Sequence, residues 1–141
     1  MILIDTNVLS EPLKLAGDVG VLHWLDAQNI ETLYLSAISL AELRFGIAVL
    51  PSGKRKEALH TSVEQRILPL FAGRILPFDV AASEAYAQLR ASARALGQAV
   101  APADGYIAAI ARVHGLMVAT RDTAPFEATG LTVINPWHKQ Q

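Results

Sequence analysis

Met1-Ile2-Leu3-Ile4-Asp5-Thr6-Asn7 opens the chain with a wholly apolar run that closes on three polar residues. A short run of this kind reads as a buried strand covered on both faces, as strands in parallel sheets are. The polar triplet then reads as the start of a loop at the strand's carboxyl end. The same shape recurs late in the chain, where the apolar run 116–119 is closed by Thr120-Arg121-Asp122. Residues 33–35 form a third apolar run, which fits a strand or a turn between helices. Residues 131–134 form a last strand, followed by Asn135-Pro136-Trp137. Residues 74–78 also read as a short strand, and Pro77 confines it to a sheet edge or a strand end.

Between these runs the apolar spacing turns helical. Val21, Leu22 and Leu25 share a face bordered by Trp24. Ser39 precedes a segment that is apolar nearly all round (Leu40, Leu43, Phe45, Ile47, Val49, Leu50) and stops at Pro51. Such a helix is deeply buried or forms a subunit contact. Residues 54–68 carry Leu59, Val63 and Ile67 at spacing four, with Pro69 marking the end. Ala82, Ala85, Leu89, Ala93 and Leu96 make a stripe closed by Gly97, a residue suited to the left-handed position after a helix. Pro102 and Asp104 announce another helix, carrying Ile107, Ile110 and Ala111 and stopping at Gly115. Pro12 and Gly17 break up what reads as a loop after Asn7. Helices alternating with short apolar strands predict an α/β fold with a mainly parallel sheet and right-handed crossovers.

The 141 residues suit one domain spanning 1–141. With 52% apolar and 18% charged residues, the chain can bury a sizeable core and is not disordered. Twelve basic and thirteen acidic side chains leave a formal charge of −1, so nucleic acid would have to be bound by a local basic rim. There is no cysteine, which excludes disulfides, thiolate metal sites and cysteine nucleophiles. The first residues lack the basic segment of a signal peptide, and no apolar run approaches a membrane span. The expectation is a soluble, cytoplasmic domain with no membrane partner.

Four acids stand at the ends or beginnings of these elements: Asp5, Glu42 in Ser-Leu-Ala-Glu-Leu, Asp104 in Ala-Pro-Ala-Asp-Gly-Tyr, and Asp122 in Val-Ala-Thr-Arg-Asp. Sites in open parallel sheets lie beyond the carboxyl ends of the strands, which brings at least Asp5 and Asp122 to one edge. Converging carboxylates repel one another unless a hard divalent cation lies between them, and oxygen donors suit Mg²⁺ or Mn²⁺. That chemistry points to a phosphate ester. Each acid also has a local reading. Asp5 fits a turn or cap, and Asp104 fits a helix N-cap, worth ~1 kcal/mol. Ser39-x-x-Glu42 fits a capping box, and Asp122 fits a loop acid paired with Arg121 or a neighbour.

Other side chains carry weaker signals. His23, His60, His114 and His138 lack metal-ligand spacing. Lys54-Arg55-Lys56 reads more readily as a solvated helix start than as a phosphate contact, and Trp24 and Trp137 more readily as packing residues than as base-stacking platforms. Arg44 and Arg121, each beside an acid, are candidates for substrate contacts or structural counter-charges. Neither a P-loop nor a Gly-x-Ser-x-Gly elbow is present.

Taken in order, Asp-Thr-Asn after the first strand, Ala-Glu-Leu on an early helix, Ala-Pro-Ala-Asp-Gly-Tyr-Ile-Ala on a late helix and Thr-Arg-Asp after the next strand resemble a PIN-domain ribonuclease. The likeness is to VapC-type toxins of toxin–antitoxin pairs, and to the FitB-like branch through Ile-Leu-Pro-Leu-Phe-Ala-Gly-Arg-Ile-Leu-Pro-Phe-Asp at 67–79 and Asn135-Pro136-Trp137. It covers essentially the whole chain. It implies a three-layer α/β/α sandwich around a short parallel sheet, with Asp5, Glu42, Asp104 and Asp122 as a catalytic and metal-binding quartet. Thr120 corresponds to a supporting hydroxyl, and Thr6 and Asn7 belong to the first motif. The resemblance further implies an RNA substrate, Mg²⁺ or Mn²⁺ as cofactor and a cognate antitoxin that sets a basic side chain into the acidic pocket. Assembly with that antitoxin on operator DNA also belongs to this picture. A homodimer is expected, its contact in the apolar segment 40–50 and neighbouring helices. Two other classes stay open. One is a different Mg²⁺-dependent phosphoryl-transfer enzyme of the aspartyl-phosphate type, which typically wants Asp-x-Asp where Asn7 stands. The other is a non-catalytic interaction module.

Overall fold

A computed structural model describes residues 1–137. Five short parallel strands form one sheet in the order β3-β2-β1-β4-β5. They are β1 (Ile2–Ile4), β2 (Leu33–Ser36), β3 (Ile75–Leu76), β4 (Met117–Ala119) and β5 (Val133–Ile134). The register sets Ile2 against both Leu33 and Met117, and Ile4 against Ala119. Residues 33–35 are therefore strand rather than turn. The strand in 74–78 shrinks to two residues at the sheet edge, where Pro77 can have no partner to disappoint.

Strand geometry alternates side chains between the two faces, and the core divides accordingly. Ile2, Ile4, Leu33, Leu35 and Ala119 point into one apolar cluster. Helices α1 (Thr6–Ser10), α2 (Val19–Ala27), α3 (Ala37–Ala48) and α4 (Lys54–Ser62) lie on that side, and Val8, Val21, Leu40, Leu43 and Ile47 join the cluster. Leu3 and Val118 point into the other cluster. It is covered by α6 (Val80–Ala95), α7 (Pro102–Val113) and α8 (Thr123–Glu127) through Ala82, Leu89, Ile107, Ile110 and Phe126. The result is the α/β/α sandwich with a parallel sheet.

Two helix ends follow the sequence signal. Gly97 (φ 73°) and Gly115 (φ 64°) take the left-handed position after α6 and α7. In each case the next amide reaches back to the helix, Gln98 N to Ala93 O and Leu116 N to Ala111 O, both at 2.9 Å. Two expectations fail. The stretch after Asp5 is not a loop. Thr6–Ser10 is helical because Asp5 caps it, and a 3₁₀ turn at Glu11–Leu13 follows with Pro12 in its first turn, where a missing N–H does no harm. Nor does Pro69 end its helix. A π turn at Val63–Ile67, closed by Leu68 N on Val63 O, precedes α5 (Leu68–Leu70), so Pro69 stands at the start of a fresh α segment.

Helix α3 is only partly buried. Leu40, Leu43 and Ile47 are inside, whereas Phe45 (68% exposed) and Val49 (63%) face outward. Among the described residues no helix is long and apolar enough to cross a membrane.

Candidate active site

The chain runs from β1 outward through β2 to β3, then returns to lay β4 on the other side of β1. Strand order reverses between β1 and β4, the place where open parallel sheets bind their ligands, beyond the strands' carboxyl ends. Asp5 follows β1 directly, and its amide extends the ladder to Ala119 O at 2.9 Å. Thr120 follows β4, its amide donating to Ile134 O at 2.9 Å. Backbone pairing thus fixes both residues before any side chain acts.

Thr120, fully buried, donates its hydroxyl to Asp5 Oδ2 at 2.8 Å. Thr120 Oγ1 also accepts from the Asp122 amide at 3.1 Å and from Asn7 Nδ2 at 3.4 Å. Asn7 Oδ1 in turn accepts from the Arg121 amide at 3.3 Å. The other Asp5 oxygen accepts from the Thr6 amide at 2.8 Å, and the Thr6 hydroxyl donates to Glu42 Oε1 at 2.9 Å. One hydrogen-bonded chain therefore runs from Glu42 on α3 through Asp5 to Asp122. Asp104, half-buried in the first turn of α7, makes no side-chain hydrogen bond in this set but lies within the field of Asp5 and Asp122.

The local readings of the four acids fare unequally. Asp5 does cap α1. Glu42 is not part of a capping box. Ser36 is the cap, accepting from Ser39 N at 2.9 Å, so Ser39 is buried inside the helix and Glu42 is free to meet Thr6. Asp104 is not an N-cap, because Ala101 holds that position and Pro102 begins the helix. Asp122 precedes α8 without a capping side-chain bond.

Asp5 is 6% exposed, and burial is the strongest influence pushing its carboxyl above the ordinary range. The Thr120 hydroxyl and Thr6 amide pull it down, while Glu42 and Asp122 push it up, and the net direction is upward. Burial, then Asp5 and Asp122, likewise raise Asp104. Among the described residues none of the four acids forms an ion pair. Here is a concentration of negative charge with no protein cation matched to it.

The donor set is all oxygen, which fits a hard divalent ion and not a soft one. Among the described residues no three His, Cys, Asp or Glu side chains are placed so that they could hold a metal ion between them. The cluster is open, with Glu42 and Asp122 exposed, the form suited to Mg²⁺, which keeps several waters and takes oxygens from its substrate.

The remaining candidates separate. Arg44 forks onto Glu64 through two bonds of 2.9 Å and is a counter-charge, not a free substrate contact. Arg121 instead lies over the Trp137 ring, 5.3 Å from its centroid. Trp24 and Trp137 pack against the first core cluster. His23, His60 and His114 are exposed, and His138 lies outside the described residues. Of the basic cluster, Lys56 donates to Ala48 O at 2.9 Å. Sequence reasoning passed over Glu11, which is 4% exposed. It accepts from the Asp18 amide at 2.8 Å and pairs with Lys14 at 2.9 Å. A lone acid between Leu9 and Leu13 was the available signal.

Residues 2–130 match the model of the PIN domain. The chain is 59% identical over 137 residues to the VapC ribonuclease Y4jK of Sinorhizobium fredii, covering 97% of this chain and 98% of that one. Among solved structures it is similar to FitAcB from Neisseria gonorrhoeae, with 56% identity and a TM-score of 0.96 over 99% of this chain and 100% of that one. It also matches FitAB bound to a DNA fragment, with 54% identity and a TM-score of 0.97 over 100% of this chain and 99% of that one.

Proposed function

Since the chain belongs to the PIN-domain family, among its VapC- and FitB-type toxins, we propose that it is a metal-dependent endoribonuclease, the toxin half of a toxin–antitoxin pair. The observation that carries this reading is the acid cluster at the β1–β4 reversal, where a buried Asp5 feels Glu42 and Asp122, a half-buried Asp104 feels Asp5 and Asp122, and, among the described residues, none has an ion-pair partner.

Asp5, Asp104 and Asp122 would hold Mg²⁺ or Mn²⁺, with Glu42 joining directly or through water. Bound there, the ion supplies positive charge to the phosphoryl oxygens and makes water a better nucleophile near neutral pH. The chain's own residues do the positioning. Thr120 fixes the Asp5 carboxylate and the Asp122 backbone with one hydroxyl. Thr6 takes one oxygen of Glu42, leaving the other to orient the attacking water and accept its proton. Water oxygen bonds to phosphorus, an ester P–O bond breaks, and the departing sugar oxygen takes a proton from solvent. The exposed side of the cluster leaves room for an RNA strand.

The same reading gives the chain a cognate antitoxin whose basic side chain would enter the acid cluster in place of the mobile cation, and the toxin–antitoxin structures it resembles support that partner. It also gives self-association through the exposed Phe45 and Val49 side of α3, assembly on operator DNA with the antitoxin, and a cytoplasmic location. A purified sample that cuts RNA with Mg²⁺ or Mn²⁺, stops with chelator, and traps no phosphoaspartate supports the nuclease. Trapping would favour the aspartyl-phosphate class, and no metal binding with no cleavage would leave an interaction module. Light scattering that finds only monomer at high concentration would remove the dimer.

A further inference from the structure

The geometry points to Arg121 as a phosphate-binding residue of this site, with Trp137 as the positioning residue that holds its guanidinium ready; the inference rests on the ribonuclease reading for its polyanionic ligand. Arg121 stands between Thr120 and Asp122, and its amide is tied to Asn7, so its backbone is part of the acid cluster's frame. Its side chain leaves that frame toward the end of β5. There Trp137 packs on the core and has its amide fixed to Asn135 Oδ1 at 2.9 Å. A guanidinium on an aromatic face keeps its in-plane N–H donors available, and that planar fork matches two phosphate oxygens.

Arg44 supplies the contrast. Both arginines neighbour an acid in sequence, but Arg44 has its fork closed on Glu64. Among the described residues the Arg121 side chain has no carboxylate partner within ion-pair distance. Glu11, which feels its charge, is already engaged by the Asp18 amide and Lys14. A net charge of −1 gives no general attraction for a polyanion, and the four acids repel one. A fixed cation on an aromatic platform at the rim offsets that repulsion locally and sets where the strand enters.

The test uses the full chain carrying Asp5→Asn, so that RNA survives, with a single-stranded RNA oligonucleotide in Mg²⁺ over a salt series. Adding Arg121→Ala should weaken binding about ten- to a hundredfold. The slope of log affinity against log salt should become shallower by about 0.7, one phosphate contact on a single strand. Trp137→Phe should retain most of the affinity, and Arg121→Lys should recover the slope but not the full affinity. Arg112→Ala, which removes an exposed charge at the opposite end of α7 from Asp104, should change neither. On the otherwise wild-type chain Arg121→Ala should raise KM for RNA. Unchanged affinity and slope in Arg121→Ala, or an equal change in Arg112→Ala, overturns the assignment. If the wild type binds RNA with an Arg121-dependent slope but never cleaves it, the ribonuclease reading falls and the phosphate contact stands. If it neither binds nor cleaves RNA, both fall.

Discussion

Asp5 and Glu11 cap opposite ends of α1 and are almost equally sealed from solvent, at 6% and 4% exposure, yet their surroundings drive their carboxyls in opposite directions. For both, burial is the largest influence and pushes upward. At Glu11 the Asp18 amide, Lys14 and Arg121 outweigh it, and the carboxyl ends below its ordinary range. At Asp5 a hydroxyl and an amide oppose burial, but Glu42 and Asp122 reinforce it, and the carboxyl ends above. Burial therefore does not distinguish a structural acid from a functional one. The company of charge does. Glu11 has been given a cation and joins the 3₁₀ turn after α1 to the start of α2. Asp5 has been given more anions and, among the described residues, no ion-pair partner, and on the proposed reading its cation comes from outside.

The largest expected effect follows from removing that distinction at Asp5. Asp5→Asn should lower RNA cleavage by on the order of a thousandfold, while the melting temperature in chelator stays equal or rises, because an unmatched buried charge has gone. A variant that cuts at the wild-type rate removes Asp5 from the mechanism. The reciprocal change is Glu11→Ala. It should reduce unfolding free energy by about 2 kcal/mol, since it leaves the Asp18 amide without its acceptor, and leave Mn²⁺ affinity as it was. Denaturant titration and calorimetry read the two halves separately, and weakened metal binding with intact stability would reverse the roles given to these acids.

The pH dependence of metal-free stability sharpens the comparison further. Asp5 and Asp104 have raised folded values, so their contribution is fully present below the unfolded carboxylate pKa of about 3.9 and is lost as pH climbs through the folded value. Glu11 has a lowered folded value, so its contribution is present above about 4.3 and lost as pH falls through the folded one. Denaturation in chelator between about pH 3 and 7 should therefore show Asp5→Asn flattening the loss on the rising side and Glu11→Gln flattening it on the falling side. The reverse assignment of the two limbs would refute the charge environments described. The smallest effect belongs to Arg44→Ala. Its ion pair with Glu64 is solvent-exposed, such pairs contribute little, and neither melting temperature nor cleavage should move resolvably.

Much of the frame was legible because it depends on local pattern. Apolar runs gave the strands, and the acids that follow β1 and β4 could be set at one sheet edge from general rules of parallel sheets. What sequence could not give was any contact made through topology. Thr6 and Glu42 are 36 residues apart, and nothing in periodicity links them, while the local Ser39-x-x-Glu42 spacing offered a misleading partner. Glu11 was missed because its main acceptor role is toward a backbone amide, which every residue carries. Pro69 misled because a π turn upstream let the helix resume. Arg44 and Arg121 looked alike in sequence, and only packing revealed that one faces Glu64 and the other Trp137.

Crystals soaked in manganese and measured for anomalous scattering test the central claim most directly. The account predicts a peak at the β1–β4 reversal, touched by Asp5 and Asp104 with Asp122 or Glu42 alongside, and its loss in Asp5→Asn crystals. No peak there at saturating manganese, with the four carboxylates turned away from one another, would contradict it.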